Sequence, residues 1–417
     1  MTISRTRLAT IAVALALAVT GLSGQSSADL FDGSVLHRID LELNSQDWLK
    51  LKQNFQSNEF YPADVVWNGV TVRNAGVRSR GTGSRSGTKP GLRIVFGHYA
   101  TDQTYLGLKS LILRNHTQDA SATRENTAMW FYARLGIPAP RVSHARLYVG
   151  GQYAGLYSVV EEPDKTMLAR LFGSIGDDVQ NDGYLYEYNW VDEWRGSYLG
   201  SALDAYKARF SAKTHESKSD EDLYRPLETL VRLINDTPSS SFVTVVGERL
   251  DLTALVRYLA VQNFLAENDG FVGNWGINNF YLYRLENQKQ HVVIAWDASE
   301  AFLDSAMAVE MRLDTNVLTR KLMEIPELRS TYFATLNEAA DLAAEIPSGS
   351  TVGRLDGEIR RELALIDSAV RDDTLKPFSN NDFDQAATAM KAFAPGRITY
   401  VKCEVERLTT NPSRSCG

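Results

Sequence analysis

Hydrophobic and polar positions alternate in short stretches early in the chain and recur with helical spacing later. Residues 35–43 read as a strand, and Asp47-Trp48-Leu49 opens a helix. Residues 63–80 alternate like a half-buried hairpin turning at Asn68-Gly69. Residues 81–91 are rich in Gly, Ser, Thr and Arg and read as a loop, and 92–96 and 110–113 read as strands. A helix is predicted over 122–135, stopped by Gly136 and Pro138, then a second hairpin over 145–160 turning at Gly150-Gly151. The pattern changes after Asp164. Residues 165–172 look helical, and 174–220, polar and aromatic with weak periodicity, read as an insertion. Helical spacing then covers 221–235, 252–267, 316–323, 327–345, 351–370, 383–393 and 396–409. One hairpin interrupts it, 280–285 with 291–296, turning at 287–289. The expectation is an α+β fold of two lobes: a sheet-rich N-terminal lobe over 29–162 and a helix-rich C-terminal lobe over 163–417.

The first 28 residues stand apart. Arg5 and Arg7 precede an uncharged apolar run over 8–22, and Ser26-Ser27-Ala28 supplies small residues for cleavage. That is the pattern of a secretory signal removed after Ala28, with an uncleaved anchor as the alternative. The run is short for a membrane span, which needs ~20 apolar residues, and no second run of that length follows. The mature chain is therefore expected outside the cytoplasm: secreted, periplasmic or at the cell surface. Cys403 and Cys416 are the only cysteines, so in an oxidising compartment a disulfide could clip the tail, worth about 3 kcal/mol for a loop so short.

Composition narrows the chemistry. With 417 residues, 44% apolar and 23% charged, the chain is neither disordered nor a rod. A net charge of −7 disfavours nucleic-acid binding, which needs basic surface. The six histidines are scattered, with no zinc-binding pair. Neither a Gly-x-Ser-x-Gly elbow nor a Gly-x-x-x-x-Gly-Lys-Ser/Thr loop occurs.

The strongest candidate site lies between 251 and 302. Asp251 caps a helix whose end, Asn268-Asp269-Gly270, enters a loop rich in Gly and Asn. Asn279 precedes the first strand of the late hairpin and Asp297 follows the second, so antiparallel pairing brings both to one end of the sheet. Asp269 enters at the same end. Two carboxylates and an amide oxygen suit Mg²⁺ carrying phosphates, and protein kinases use this helix–Asp–loop–Asn–strand–strand–Asp order. The alternative is that these residues merely punctuate turns.

Two further stretches fit that plan. The basic loop Arg78-Ser79-Arg80-Gly81 to Lys89 offers glycines and cations to a polyanion, unless it is a solvated loop. Lys89 could meet α- and β-phosphates and be held by Glu125 on the following helix. Tyr153 to Asp164, with Glu161 and Glu162, lies where the lobes join and where an adenine would dock.

In order and spacing the chain resembles the CotH family of atypical, spore-coat-type kinases from about Leu36 to Phe302. The carriers are Gly76-Val77-Arg78-Ser79-Arg80-Gly81 with Ser84 and Lys89, and Leu113-Arg114-Asn115 with Asp119 and Arg124-Glu125. Gly151-Gln152-Tyr153-Ala154-Gly155-Leu156-Tyr157, Asp182-Gly183-Tyr184-Leu185-Tyr186, Asn268-Asp269-Gly270, Asn279-Phe280-Tyr281-Leu282-Tyr283 and Trp296-Asp297 complete the set. The resemblance implies a divergent protein-kinase-like fold that binds ATP with Mg²⁺ or Mn²⁺ and phosphorylates Ser or Thr of secreted or surface proteins. It implies Asp269 as the catalytic aspartate, Asn279 and Asp297 as metal ligands, and Arg78, Arg80, Lys89, Glu125 and Glu162 as cofactor contacts. Two positions depart from the family. Asp297-Ala298-Ser299 stands where Asp-x-Asp is usual, and Asn278 stands where His often precedes the asparagine. A weak or inactive kinase-fold surface protein is therefore the second reading. Residues past about 310 match no motif and read as helical packing.

Overall fold

The computed structural model describes residues 25–175 and 178–416. The expected signal segment lies almost wholly outside the described residues. Among those residues no helix is long and apolar enough to cross a membrane.

After a single helical turn, α1 (Ser27–Leu30), and leaving aside α2 (Ser45–Gln53), capped by Asn44, the N-terminal part is a closed barrel. Its strands are β1 (Leu36–Leu43), β2 (Tyr61–Trp67), β3 (Val70–Arg80), β4 (Gly91–Val95), β5 (Ser110–Arg114), β6 (Val142–Val149) and β7 (Gln152–Glu161). They run in the order β1-β2-β3-β4-β5-β7-β6. Closure comes from β6 pairing parallel to β1, Leu36 opposite His144. Alternation decides what faces where. Tyr61, Ala63, Val65, Ala75, Val77, Leu92, Ile94, Leu111 and Leu113 fill the barrel. Their neighbours Arg78, Arg80, Arg93, Ile112 and Arg114 therefore lie on its outer face. Helix α3 (Arg124–Arg134) connects β5 to β6.

The outer face meets a second, four-stranded antiparallel sheet. After α4 (Lys165–Phe172) and the short pair β8 (Ser174–Ile175) and β9 (Asp178–Val179) come β10 (Tyr184–Tyr188), α5 (Asp204–Arg209) and β11 (Phe210–Ala212). Strands β12 (Phe280–Arg284) and β13 (His291–Ala295) complete the order β11-β10-β12-β13. Residues 174–220 are thus no insertion: they supply half of this sheet. Tyr184-Leu185-Tyr186-Glu187-Tyr188 packs apolar groups on both faces, which blurs the period-2 signal. One face packs with Ile112 and Val160 of the barrel and Met167 and Leu168 of α4, through Leu185, Tyr281, Tyr283, Ile294 and Trp296. The other, through Tyr186, Phe280, Leu282 and Val293, joins the helical core.

That core is built by α6 (Asp220–Asp236), α7 (Ser239–Gly247), α8 (Leu252–Phe264), α9 (Val317–Glu324), α10 (Pro326–Ala344), α11 (Arg354–Asp372) and α12 (Asn380–Thr409). Helix α7 was not foreseen. The two helices expected over 383–393 and 396–409 are one, because α12 continues through Pro395. The lost amide costs about 3 kcal/mol. Burial of Phe393, Ala394, Arg397 and Val401 on either side holds the helix in register. Cys403 and Cys416 form the disulfide that clips the tail to α12.

Candidate functional site

Pairing of Phe280 with Ala295 sets Asn279 and Asp297 side by side at one end of the β12–β13 hairpin. Both adopt left-handed backbone, φ 54° and 50°, a conformation Asn and Asp tolerate better than other residues bearing a Cβ. The loop after α8 reaches the same end. It lies so close to the helix that a Cβ on Gly270 would sit 2.6 Å from the Gln262 side chain.

Asp269 is oriented by two amides. Asn278 Nδ2 donates to both carboxylate oxygens at 3.1 Å, and Asn279 Nδ2 donates to Oδ2 at 3.0 Å and to the Asp269 carbonyl at 2.7 Å. Asn278, noted only as a departure from the family, is thus a direct support of the aspartate. Burial, with Asp297 nearby, pushes the Asp269 carboxyl above the ordinary range against the pull of those amides. Asp297 has the opposite balance. Burial would raise its carboxyl, but Arg114, at 2.5 Å from Oδ2, holds it below the ordinary value. Its Oδ1 accepts the Ser299 hydroxyl at 3.1 Å.

Arg114, quoted in the sequence motif without a role, is the centre of the site. At the end of β5 it lies between Asp297 and Glu125, its Nε 2.8 Å from Glu125 Oε2. That contact is not aligned as a hydrogen bond. Arg114 Nε and Nη2 and Glu125 Oε1 are buried without hydrogen-bond partners. Burial pushes Glu125 up to about 7 despite the guanidinium. Arg114 thus contacts two carboxyl groups, with Arg80 adding positive charge and Asp269, Glu300 and buried Asp119 and Glu267 close by. Arg124 spans the same gap, with Nη1 donating to the Ser299 carbonyl at 3.3 Å.

Lys89 and Glu125 are not brought together. The Lys89 Nζ is buried against Asp373, just past α11, at 2.6 Å. Asp373 also accepts the amides of Leu156, Leu375 and Lys376. It approaches β7 so closely that a Cβ on Gly155 would sit 2.5 Å from its Oδ2, and Gly155 has φ 120°. The sequence reading makes Lys89 a phosphate contact; here its charge is matched and enclosed by Asp373. Arg114 occupies the Glu125 partnership instead.

The other candidates lie along the barrel's outer face. Arg78 donates to Asn58 Oδ1 at 2.9 Å, as does Arg85 at 2.6 Å, and burial beside Arg93, Arg80 and Arg85 lowers Arg78 to about 10. Arg80 lies 3.5 Å from Glu187 and over the Trp296 ring. Glu162 holds Arg93 at 3.0 Å. A pocket lined by Arg80, Gly81, Ser84, Arg114, Asp119 and Glu125 opens between this face and Ser299.

A divalent cation fits the donor set. Among the described residues no three His, Cys, Asp or Glu side chains form a closed cage. Mg²⁺ needs only one or two carboxylates beside phosphate oxygens, and Asp269, Asp297 and the Asn279 amide oxygen are the hard oxygens that could supply them here.

A family model described as CotH kinase protein matches residues 77–401. Inner spore coat protein H of Bacillus subtilis (strain 168) is 24% identical over 374 residues, covering 87% of this chain and 95% of that relative. Among solved structures, the Helicobacter pylori proinflammatory kinase CtkA aligns with a TM-score of 0.31 at 10% sequence identity, over 80% of this chain and 95% of that chain. With the family model spanning most of its length, the chain belongs to the CotH kinase protein family.

Proposed function

We propose that this protein is an exported atypical kinase that transfers the γ-phosphoryl group of ATP to Ser or Thr hydroxyls of secreted or surface proteins. The observation that carries it is the meeting of Asp269, Asn279 and Asp297 at one end of the β12–β13 hairpin, opposite Arg114. Asp269, held by Asn278 and Asn279, would orient the acceptor hydroxyl and take its proton; its raised proton affinity suits that role. Asn279 and Asp297 would hold Mg²⁺ or Mn²⁺, which when bound neutralises charge on the phosphates. Arg114 holds Asp297 in place, and its unpartnered Nη2 is a further donor for an anionic oxygen. Arg78 and Arg80 carry positive charge along the barrel face towards the same pocket, and Glu162 fixes Arg93 beside them.

The test is autophosphorylation with γ-labelled ATP and Mg²⁺ or Mn²⁺, comparing wild type with Asp269→Ala and Asp297→Ala. Label on the wild type alone supports the reading. Equal label on all three, or none together with no thermal shift by ATP and metal, overturns it. A second reading, a kinase-fold surface-binding protein with little turnover, is favoured by one observation. Ser299 supplies a hydroxyl, already bonded to Asp297, where the family usually has a second carboxylate. It predicts partner binding that survives Asp269→Ala.

A further inference from the structure

The segment after Asp297 has no regular secondary structure until α9, yet it is tied down along its length. Its ties run to α8, α10 and α12. Phe302 N donates to Leu265 O at 2.8 Å, and Asn263 Nδ2 donates to Val309 O at 3.2 Å and to the Tyr332 hydroxyl oxygen at 2.9 Å. The Tyr332 hydroxyl in turn donates to Val309 O.

The strongest tie is Arg397, in the middle of α12. It is fully buried, and among the described residues no carboxylate lies within ion-pairing distance. Its guanidinium is spent on main-chain carbonyls. Nε donates to Phe264 O at 2.9 Å and Nη2 to Asn263 O at 2.5 Å, both at the end of α8. Nη1 donates to Ser305 O at 3.1 Å and Met307 O at 2.5 Å, both in the segment after Asp297. The helix approaches so closely that a Cβ on Gly396 would lie 2.9 Å from Ser305 Oγ. One side chain thus joins the helix that ends in the Asp269 loop to the segment that leaves Asp297. Burying an uncompensated charge is costly, and four charge-assisted hydrogen bonds in a fixed fork are what make it tolerable.

We propose that Arg397 is a positioning residue for phosphoryl transfer, fixing the spacing of Asp269 and Asp297 from the C-terminal helix so that the segment is ordered without being modified. This rests on the kinase reading above. It gives the helical region beyond the recognisable motifs a direct part in the site.

The experiment compares wild type with Arg397→Lys, Tyr332→Phe and the control Arg407→Gln on the same helix. Autophosphorylation rate against ATP concentration is measured beside hydrogen exchange of the amides of 300–311. Arg397→Lys keeps the charge but loses the fork. Its maximal rate should fall about 10²-fold, the cost of a misplacement near 1 Å, with ATP half-saturation within about twofold of wild type. Exchange should quicken at 300–311 but not in the barrel. Tyr332→Phe, which deletes the two hydrogen bonds of its hydroxyl and no packing, should move both readouts the same way by less, and Arg407→Gln neither. An active wild type with unchanged rate and exchange in Arg397→Lys overturns the inference. So does uniformly faster exchange across the molecule, which marks a merely structural residue. If Arg397→Lys does not fold, Tyr332→Phe decides. A wild type without transfer activity overturns the kinase reading, and with it the role in transfer, even if local exchange responds.

Discussion

Two buried clusters of opposite charge tie distant parts of this chain together, and they are built to different standards. Lys89 meets Asp373, whose oxygens also accept three main-chain amides. The Lys89 ammonium faces the Tyr157 ring as well. Arg114 meets both Glu125 and Asp297, yet two of its nitrogens and one Glu125 oxygen have no hydrogen-bond partner. An unpaired buried polar atom costs about 1–3 kcal/mol, so the second cluster is the less fully satisfied of the two. The first pair is closed on all sides, and the second keeps unspent donors and an unspent acceptor. A lysine beside a glycine-rich loop is therefore no sign of function until its partner is known.

The sharpest break between the two comes from removing charge at each in turn. Asp297→Ala or Asp269→Ala should lower transfer by about 10³-fold or more, measured as autophosphorylation. Folding should persist, judged by circular dichroism. Lys89→Met should do the reverse. It should cost about 3–5 kcal/mol in urea unfolding by stranding the Asp373 charge, and Lys89→Met with Asp373→Asn, which removes that charge and keeps an oxygen for the amides, should recover part of it. ATP half-saturation should be unchanged where the variant is folded. A normal stability with weakened ATP binding would return Lys89 to the phosphates.

Acid should stress both clusters through one group. His116 is half-buried between them, and desolvation, then Lys89, His144 and Arg114, push its pKa well below the ordinary value. The unfolded chain takes up a proton near pH 6.5 and the folded one does not. The stability is thus fully present above that pH and is lost as pH falls, by up to about 1.4 kcal/mol per unit for this group. His116→Asn, which suits the φ of 58°, should flatten that slope in urea titrations between pH 7 and 5. The smallest effect is expected from Glu125→Gln. Stability should change by about 1 kcal/mol or less, because the carboxyl is already held near neutrality. The Mg²⁺ needed for half-maximal transfer should rise, and an unchanged titration would remove Glu125 from the site.

Local pattern carried the sequence reading far. The barrel strands, most helices and the late hairpin follow from period and turn residues, and the hairpin alone was enough to place Asn279 beside Asp297. What it could not carry were partners fixed only in three dimensions. Lys89 and Asp373 are 284 positions apart, and no spacing rule connects them. Arg114 ends an ordinary apolar strand; α3 gives it Glu125, and only the second sheet packed against the barrel gives it Asp297. Residues 184–188 lost their strand signal because both faces are buried, and Pro395 read as a break because packing, not propensity, holds α12 together.

The long reach of Asp373 also sets the order in which the molecule can be completed. A ribosome delivers the barrel strands first, and Lys89 leaves it with its partner Asp373 still unsynthesised. Until Asp373 emerges, that ammonium has no carboxylate to enclose it, and burying it unpaired would be costly. Arg397 arrives later still. A chain cut before Asp373 would carry Asp269, Asn279 and Asp297 and yet lack both fastenings, so the site's own residues would be present but unsupported.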